Sequence, residues 1–330
     1  MAVVVSSPTM VPDDALLVPV RPDGGLRADG RAAPALRDEL RRVASWRNAL
    51  TVLVLWAQTV GLVVVAVLAA DALPSTWLRP LPWIAVFVLF GRAHAQYASL
   101  MHEAAHRMLF RNKAANDWTG RWLLGFPAFA GPDNYRRGHM AHHRAEFGPD
   151  EPDIALYANY PITRASFRRK LVRDATGRTG WKLMRSMLHG LRSDNAETRR
   201  TVRSILATQL VLASACVVAG VWFVYLLWLG AFLTVWRLIN RLRSVAEHGG
   251  MRASSDRRQT THSVRQSWPA RFFLVPYNIG WHLAHHVDAG VPWRNLPRYH
   301  RELIAGGYVA PGLEHPSYRA LWRKLANRPG

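Results

Sequence analysis

Histidine is the residue type on which this sequence concentrates. Of 14 histidines in 330 residues, most fall into dense groups. His102 and His106 lie in His102-Glu103-Ala104-Ala105-His106; His139, His142 and His143 form a second group; His282, His285 and His286 form a third. The last two share the spacing H-x-x-H-H, and a single His248 stands between them. On a helix, side chains three and four residues apart lie along one side, so each group can turn its imidazoles toward one metal ion. Read alone, the first group has the form H-E-x-x-H, in which His102 and His106 bind zinc and Glu103 is the general base of a membrane metalloprotease. That reading leaves the other clustered histidines unused. Nine imidazoles exceed one tetrahedral zinc site and suit two metals of higher coordination number. All-nitrogen ligation with open positions fits iron or copper redox chemistry better than hydrolysis.

The elements that must position these groups are apolar. Ala49 to Leu73 has no Lys or Arg and one acid, Asp71, and is long enough for a crossing of about 20 residues. Pro74, Pro80 and Pro82 mark a turn into a second run from Trp83 to Leu100, which leads into His102. Arg92 and His94 interrupt that run, so its inner half must face protein or water. Ile205 to Trp236 carries no charge and exceeds one crossing. It fits two spans joined near Ala219–Trp222; a single tilted helix is the alternative. Two spans put the basic segments 107–113, 164–203 and 237–258 on one side, which the positive-inside rule makes cytoplasmic.

The expected fold class is therefore all-α integral membrane. Four transmembrane helices in two hairpins, about 49–73, 80–100, 203–220 and 222–242, carry a His-rich helical cap. The N- and C-termini and the active site are expected on the cytoplasmic side. Residues 1–33, rich in Pro, Gly, Ala and Asp, read as a disordered tail, 34–320 as the membrane domain and 321–330 as a second tail. Residues 35–43 and 269–279 read as interfacial helices, and 118–131, broken by Pro127, as a re-entrant or interfacial piece.

The formal net charge is +21. Basic segments beside apolar runs suit loops facing anionic lipid. No nucleic-acid fold signature accompanies the charge, so no nucleic-acid partner is expected. The lone Cys216 excludes an intrachain disulfide framework or a C-x-x-C metal site and reads as a packed core residue. No basic segment precedes Met1–Val5, and Pro8 and Pro12 follow, unlike a secretory signal.

The three groups and four apolar crossings together resemble the membrane fatty acid desaturase superfamily, which also holds hydroxylases and carotenoid ketolases. Asn278-Ile279-Gly280-Trp281-His282-Leu283-Ala284-His285-His286, then Val291-Pro292-Trp293-Arg294-Asn295-Leu296-Pro297 and His300, are similar to the acyl-lipid and sphingolipid branch. Arg243 with Glu247-His248 resembles that branch's R-x-x-x-E-H. The resemblance covers roughly residues 45 to 305. It implies a di-iron centre, two Fe ions held by His102, His106, His139, His142, His143, His248, His282, His285 and His286. It implies O2 as co-substrate and oxidation of an unactivated C–H in a lipid acyl chain. Two hydrogen abstractions give an alkene; abstraction followed by hydroxyl rebound gives an alcohol. The acyl chain is expected in a tunnel between the hairpins. Ser244 stands where stearoyl-type acyl-CoA enzymes have Asn, which points away from a CoA ester.

Glu103, Glu247, Asp150 and Asp153 are candidates to accept the outer N–H of ligand histidines, and His300 matches the superfamily pattern. Arg136 and Arg137 are expected to meet lipid phosphates. His94 reads as a core or tunnel residue, and His189, His262 and His315 as surface groups. The H-P-G-G of a fused cytochrome b5 is absent, so electrons must come from a separate donor, such as ferredoxin or cytochrome b5 with its reductase. A basic cytoplasmic face would steer an acidic donor.

Overall fold

The structure is a computed structural model that describes residues 10–21, 25–149 and 151–328. In chain order its helices are α1 (Pro34–Leu40), α2 (Ser45–Ala72), α3 (Pro80–Ala105), α4 (Lys113–Thr119), α5 (Pro132–Arg144), α6 (Ile154–Tyr157), α7 (Arg164–Ala175), α8 (Arg178–His189), α9 (Ala196–Val218), α10 (Phe223–Leu233), α11 (Val235–His248), α12 (His282–Val287), α13 (Leu296–Ala305) and α14 (Tyr318–Leu325). Two short strands, β1 (Ser263–Val264) and β2 (Glu314–His315), pair in parallel. The chain divides into two compact units. One comprises Ala44–Tyr135 and Leu171–Asn240, the other Met1–Val43, Arg136–Lys170 and Arg241–Gly330.

The first unit is built on α2, α3, α9 and α10. Its outer surface is apolar: Leu53, Val60, Val65 and Leu68 of α2 and Leu210, Val211 and Val218 of α9 are all more than half exposed. Water would penalise such a surface at about 25 cal/mol per Å2; a bilayer accepts it. Among the described residues three helical stretches are long and apolar enough to cross a membrane, Pro34–Ala72, Ala196–Val218 and Phe223–His248. Helix α3 has the length, but its second half is polar and buried, with His94, Gln96, Ser99, His102 and Glu103 all inside. Arg92 donates to the side-chain oxygens of Gln58 (3.1 Å) and Gln96 (2.8 Å), so its charge is solvated by two amides. A Cβ at Gly91 would collide with Val235, so glycine is what lets these backbones close.

The piece expected to be re-entrant, 118–131, is irregular. A π-helical turn over Gly120–Gly125 passes into a 3-10 turn at Phe126–Ala128, and Phe129 has φ +58°. Side chains of the long helices satisfy its carbonyls. Trp56 donates to Leu123 O, Gln209 to Phe126 O and Pro127 O, and Trp228 to Pro127 O. Broken backbone at membrane depth requires such partners. Residues 269–279, expected as one interfacial helix, hold only a short turn, Ala270–Leu274, before Tyr277 and Asn278 enter positive φ.

The second unit gathers α12, α13, α14 and the strand pair. The segment expected as a disordered tail makes ordered contacts here at several of its described residues; residues 1–9 and 22–24 lie outside the described residues. Leu26 and Ala32 bridge and are buried. Arg21 N–H donates to Gly306 O, Arg31 Nε to Val287 O, and Tyr299 O–H to Gly30 O. Farther on, Arg41 grips Asp288 with two bonds, 2.7 and 3.2 Å, and Asn295 donates to Leu40 O. Residues 321–325, expected in a tail, belong to α14, where Leu321 and Leu325 are fully buried.

Candidate metal centre

Each histidine group occupies a helix end, and local chemistry explains why α3 and α11 stop there. Box one ends α3. Its last carbonyls are met by Asn116, whose Nδ2 donates to Ala104 O at 2.9 Å, and Arg107 at φ +57° turns the chain away. His102 and His106 are one turn apart with ring centroids 4.7 Å apart. Glu103 is buried beside His102, 3.8 Å from its Nδ1. Box two lies on α5, whose first turn is fixed by a two-bond ion pair from Arg121 to Asp133 at 2.7 and 3.0 Å. His248 ends α11, and His262 closes that end: its backbone N–H donates to Glu247 O, and its ring to Gly249 O at 2.8 Å. Box three fills the short helix α12, every residue of which is buried.

Within the second unit seven of these histidines come together. One ring nitrogen from each of His142, His248 and His286 lies within 4.8 Å of the others. The Nε2 of His282 is 3.1 Å from that of His248 and 3.0 Å from that of His286. The Nε2 of His143 is 3.0 Å from those of His139 and His285.

The opposite ring nitrogens face acceptors. His286 Nδ1 is 2.5 Å from Glu146 Oε1, His142 Nδ1 is 2.9 Å from Glu151 Oε1, and His248 Nδ1 is 2.9 Å from Thr260 O. Donation outward puts the proton on Nδ1 and leaves a lone pair on Nε2. Lone pairs converging from His142, His248 and His286 repel unless a cation joins them. The donor set therefore fits a metal, with the carboxylates that orient metal-bound imidazoles already in place.

The electrostatics differ from ring to ring. Burial, reinforced by neighbouring imidazoles, pushes the His286 value well below the ordinary histidine range, as a neutral ligand requires. At His142 burial acts downward, but the Glu151, Glu146 and Asp153 carboxylates outweigh it and raise the value. Burial raises the Glu146 carboxyl against the pull of Arg257, whose Nη1 is 2.6 Å away. Burial likewise raises the Tyr157 phenol, whose O–H lies 3.4 Å from His142 Nδ1.

Of the residues expected to support the ligands, Asp153 donates its backbone N–H to Glu151, and Glu247 lies 3.6 Å from His282 Nδ1 and 2.9 Å from Arg243. His300 is on α13, hydrogen-bonded to Glu314 at 2.9 Å. Asp150 lies outside the described residues. Glu146 and Glu151 did not stand out in the sequence: Glu146 stands at helical spacing from His142 and His143 but pairs with His286, 140 residues away, and Glu151 lies nine residues from its partner His142. His262 and His315, expected at the surface, instead face each other at 3.2 Å, with His262 buried. Burial pushes them down to about 3 and about 4. His94 is buried as expected, its ring 3.8 Å from that of Trp228 and its Nε2 on Trp228 O.

The profile of the fatty acid desaturase family matches residues 75–320. Dihydrorhizobitoxine desaturase of Bradyrhizobium elkanii is 24% identical over 248 residues, 70% of this chain and 69% of its own length. The sn-1 oleoyl-lipid 12-desaturase of Arthrospira platensis is 26% identical over 261 residues, 70% of this chain and 72% of its own. A family match over most of the chain, two similar desaturases and a buried histidine cluster agree on an oxidoreductase, and the chain belongs to the fatty acid desaturase family.

Proposed function

We propose that this protein desaturates a lipid acyl chain, using O2 and two iron ions held by nine histidines. The observation that carries the reading is the convergence of imidazole lone pairs whose outer nitrogens are held by two carboxylates and a backbone carbonyl, in a chain of this family. His139, His142, His143, His248, His282, His285 and His286 enter the ligand set on geometry and motif. His102 and His106 enter it on motif spacing alone. Iron in such a site supplies the O2 activation needed to remove hydrogen from an unactivated carbon.

The chain's own residues do the remaining work. Glu151 and Glu146 hold the protons of His142 Nδ1 and His286 Nδ1, fixing tautomer and ring direction. Arg257 spans Glu146 and the His143 carbonyl, tying box two to its support. Burial of the His rings keeps water away from the reacting carbon.

For the substrate, an apolar cavity of about 460 Å3 in the first unit supports an acyl occupant. It is lined by Val63, Val67, Phe90, Tyr97, Cys216 and Trp228 among others. The relative from Arthrospira platensis acts, by its name, on an oleoyl lipid, and an acyl lipid is the substrate class proposed here. We propose α3 as the fourth crossing, its polar half facing protein, with the termini and the histidines on the cytoplasmic side. Electrons come from a separate ferredoxin-like or cytochrome b5 donor. The hydrolytic reading of His102-Glu103-Ala104-Ala105-His106 finds no support in the family match.

The test is expression in a host lacking endogenous desaturases, with iron analysis of the purified protein and mass spectrometry of the host lipids. About two irons per chain and new unsaturated acyl chains are expected, and His142→Ala should abolish both the iron and the product. A hydroxylated or keto product in place of the alkene would move the activity to a hydroxylase or ketolase. One zinc with peptidase activity would sink the proposal.

A further inference from the structure

A second charged site lies on the first unit, at the start of α9. Ala196, Arg199, Arg200, Arg203, Ser204 and Ala207 share one face of that helix, and with Trp122 they line a groove of about 410 Å3. Three guanidinium groups thus crowd within two turns. Like charges at this spacing disfavour a helix unless an anion joins them.

Among the described residues Arg200 and Arg203 have no carboxylate partner. Glu197, in the first turn of the same helix, bears on Arg121. Arg199 is held in place rather than neutralised: its Nη1 donates to Ser193 O at 2.6 Å and Asp194 O at 2.9 Å. Asn195 already accepts the N–H groups of Glu197 and Thr198 at the helix start, so the site rests on side chains and not on a bare helix end.

We propose that this groove binds the phosphate of an anionic membrane phospholipid. Guanidinium forks match phosphate oxygens, and Ser204 adds a hydroxyl donor. The source is read from what continues the groove. Three and four residues beyond Ala207 come Leu210 and Val211, 68% and 67% exposed, opening the strip of α9 that water would reject. Trp122, 42% exposed, flanks the charged end as aromatics do at a membrane boundary. A headgroup on the arginines would lay its acyl chains along that strip. A soluble phosphate would use the arginines and leave the strip bare.

The test uses the full chain, purified in mild detergent and reconstituted into phosphatidylcholine vesicles. Titration with phosphatidylglycerol should saturate at one lipid per chain, followed by quenching of Trp122 against a brominated lipid, with Trp122→Phe as the blank. Arg200→Gln combined with Arg203→Gln should weaken binding about tenfold or more, since each charge-assisted bond lost costs that order. The Lys pair at the same positions should restore part of it. Uptake without saturation in the wild-type chain would overturn the proposal without reference to any variant. Equal binding by the Gln pair, with helix content unchanged, would also overturn it. Displacement of the lipid by millimolar inorganic phosphate would assign the groove to a soluble phosphate and overturn the membrane source.

Discussion

An imidazole that gives its outer proton to a carboxylate is a stronger and better-aimed metal ligand, and Glu151 and Glu146 do this for His142 and His286. Glu151→Gln keeps the shape and removes the charge. Metal affinity, measured by chelator competition, should fall about 10- to 100-fold with helix content unchanged; wild-type affinity would contradict the role. A second carboxylate titrates away from the histidines. Asp256 is raised by burial, but its bonds to Arg258 and that of the Tyr308 hydroxyl prevail and hold it below the ordinary carboxylate range. A depressed value contributes stability above the unfolded-state pKa and loses it as pH falls through the folded value. Asp256→Asn should therefore melt lower at neutral pH and lose less on acidification than wild type; parallel pH–melting curves would refute this. The H-x-x-H-H groups were legible in the sequence because helical spacing alone fixes their common side. Glu146 and Glu151 were not: the chain leaves α5 after Arg144 and reverses at Phe147, φ +61°, so the spacing of Glu146 from His142 is not a helical contact and its partner is the remote His286. His262 reads as a surface group in sequence because its ring partner, His315, is 53 residues away.

At the scale of helices, apolar runs were readable and their ends were not. The run expected to finish near residue 100 continues as helix to Ala105, carrying box one inside its last turns. The run expected to finish near 242 breaks at Thr234, φ −121° and ψ −80°, and then resumes to His248. Capping by Asn116 and His262, both remote in sequence, sets these ends. The long helices also bound the apolar cavity, and Ala215 of α9 lines it where α10 approaches. Ala215→Trp would fill part of about 460 Å3. The expected result is a product profile shifted toward shorter acyl chains by gas chromatography of the host lipids, with iron content unchanged. An unaltered profile would place the acyl chain elsewhere.

Across the whole molecule the charge of +21 concentrates in two segments, one between the apolar runs and one after the last of them. Reduction by an acidic donor such as ferredoxin should slow several-fold between low salt and about 0.15 M, where the Debye length is about 8 Å. A salt-independent rate, followed by stopped-flow spectroscopy, would remove the docking idea. The family match begins at residue 75, yet ordered contacts begin far earlier. Arg31 holds the carbonyl of Val287, the last residue of α12, and Arg41 holds the next side chain, Asp288. The stretch that matches the family is thus shorter than the stretch that folds. A chain trimmed to residues 75–320 would lose the brace behind its third histidine box, and swaps of that box should carry residues 10–41 along with it.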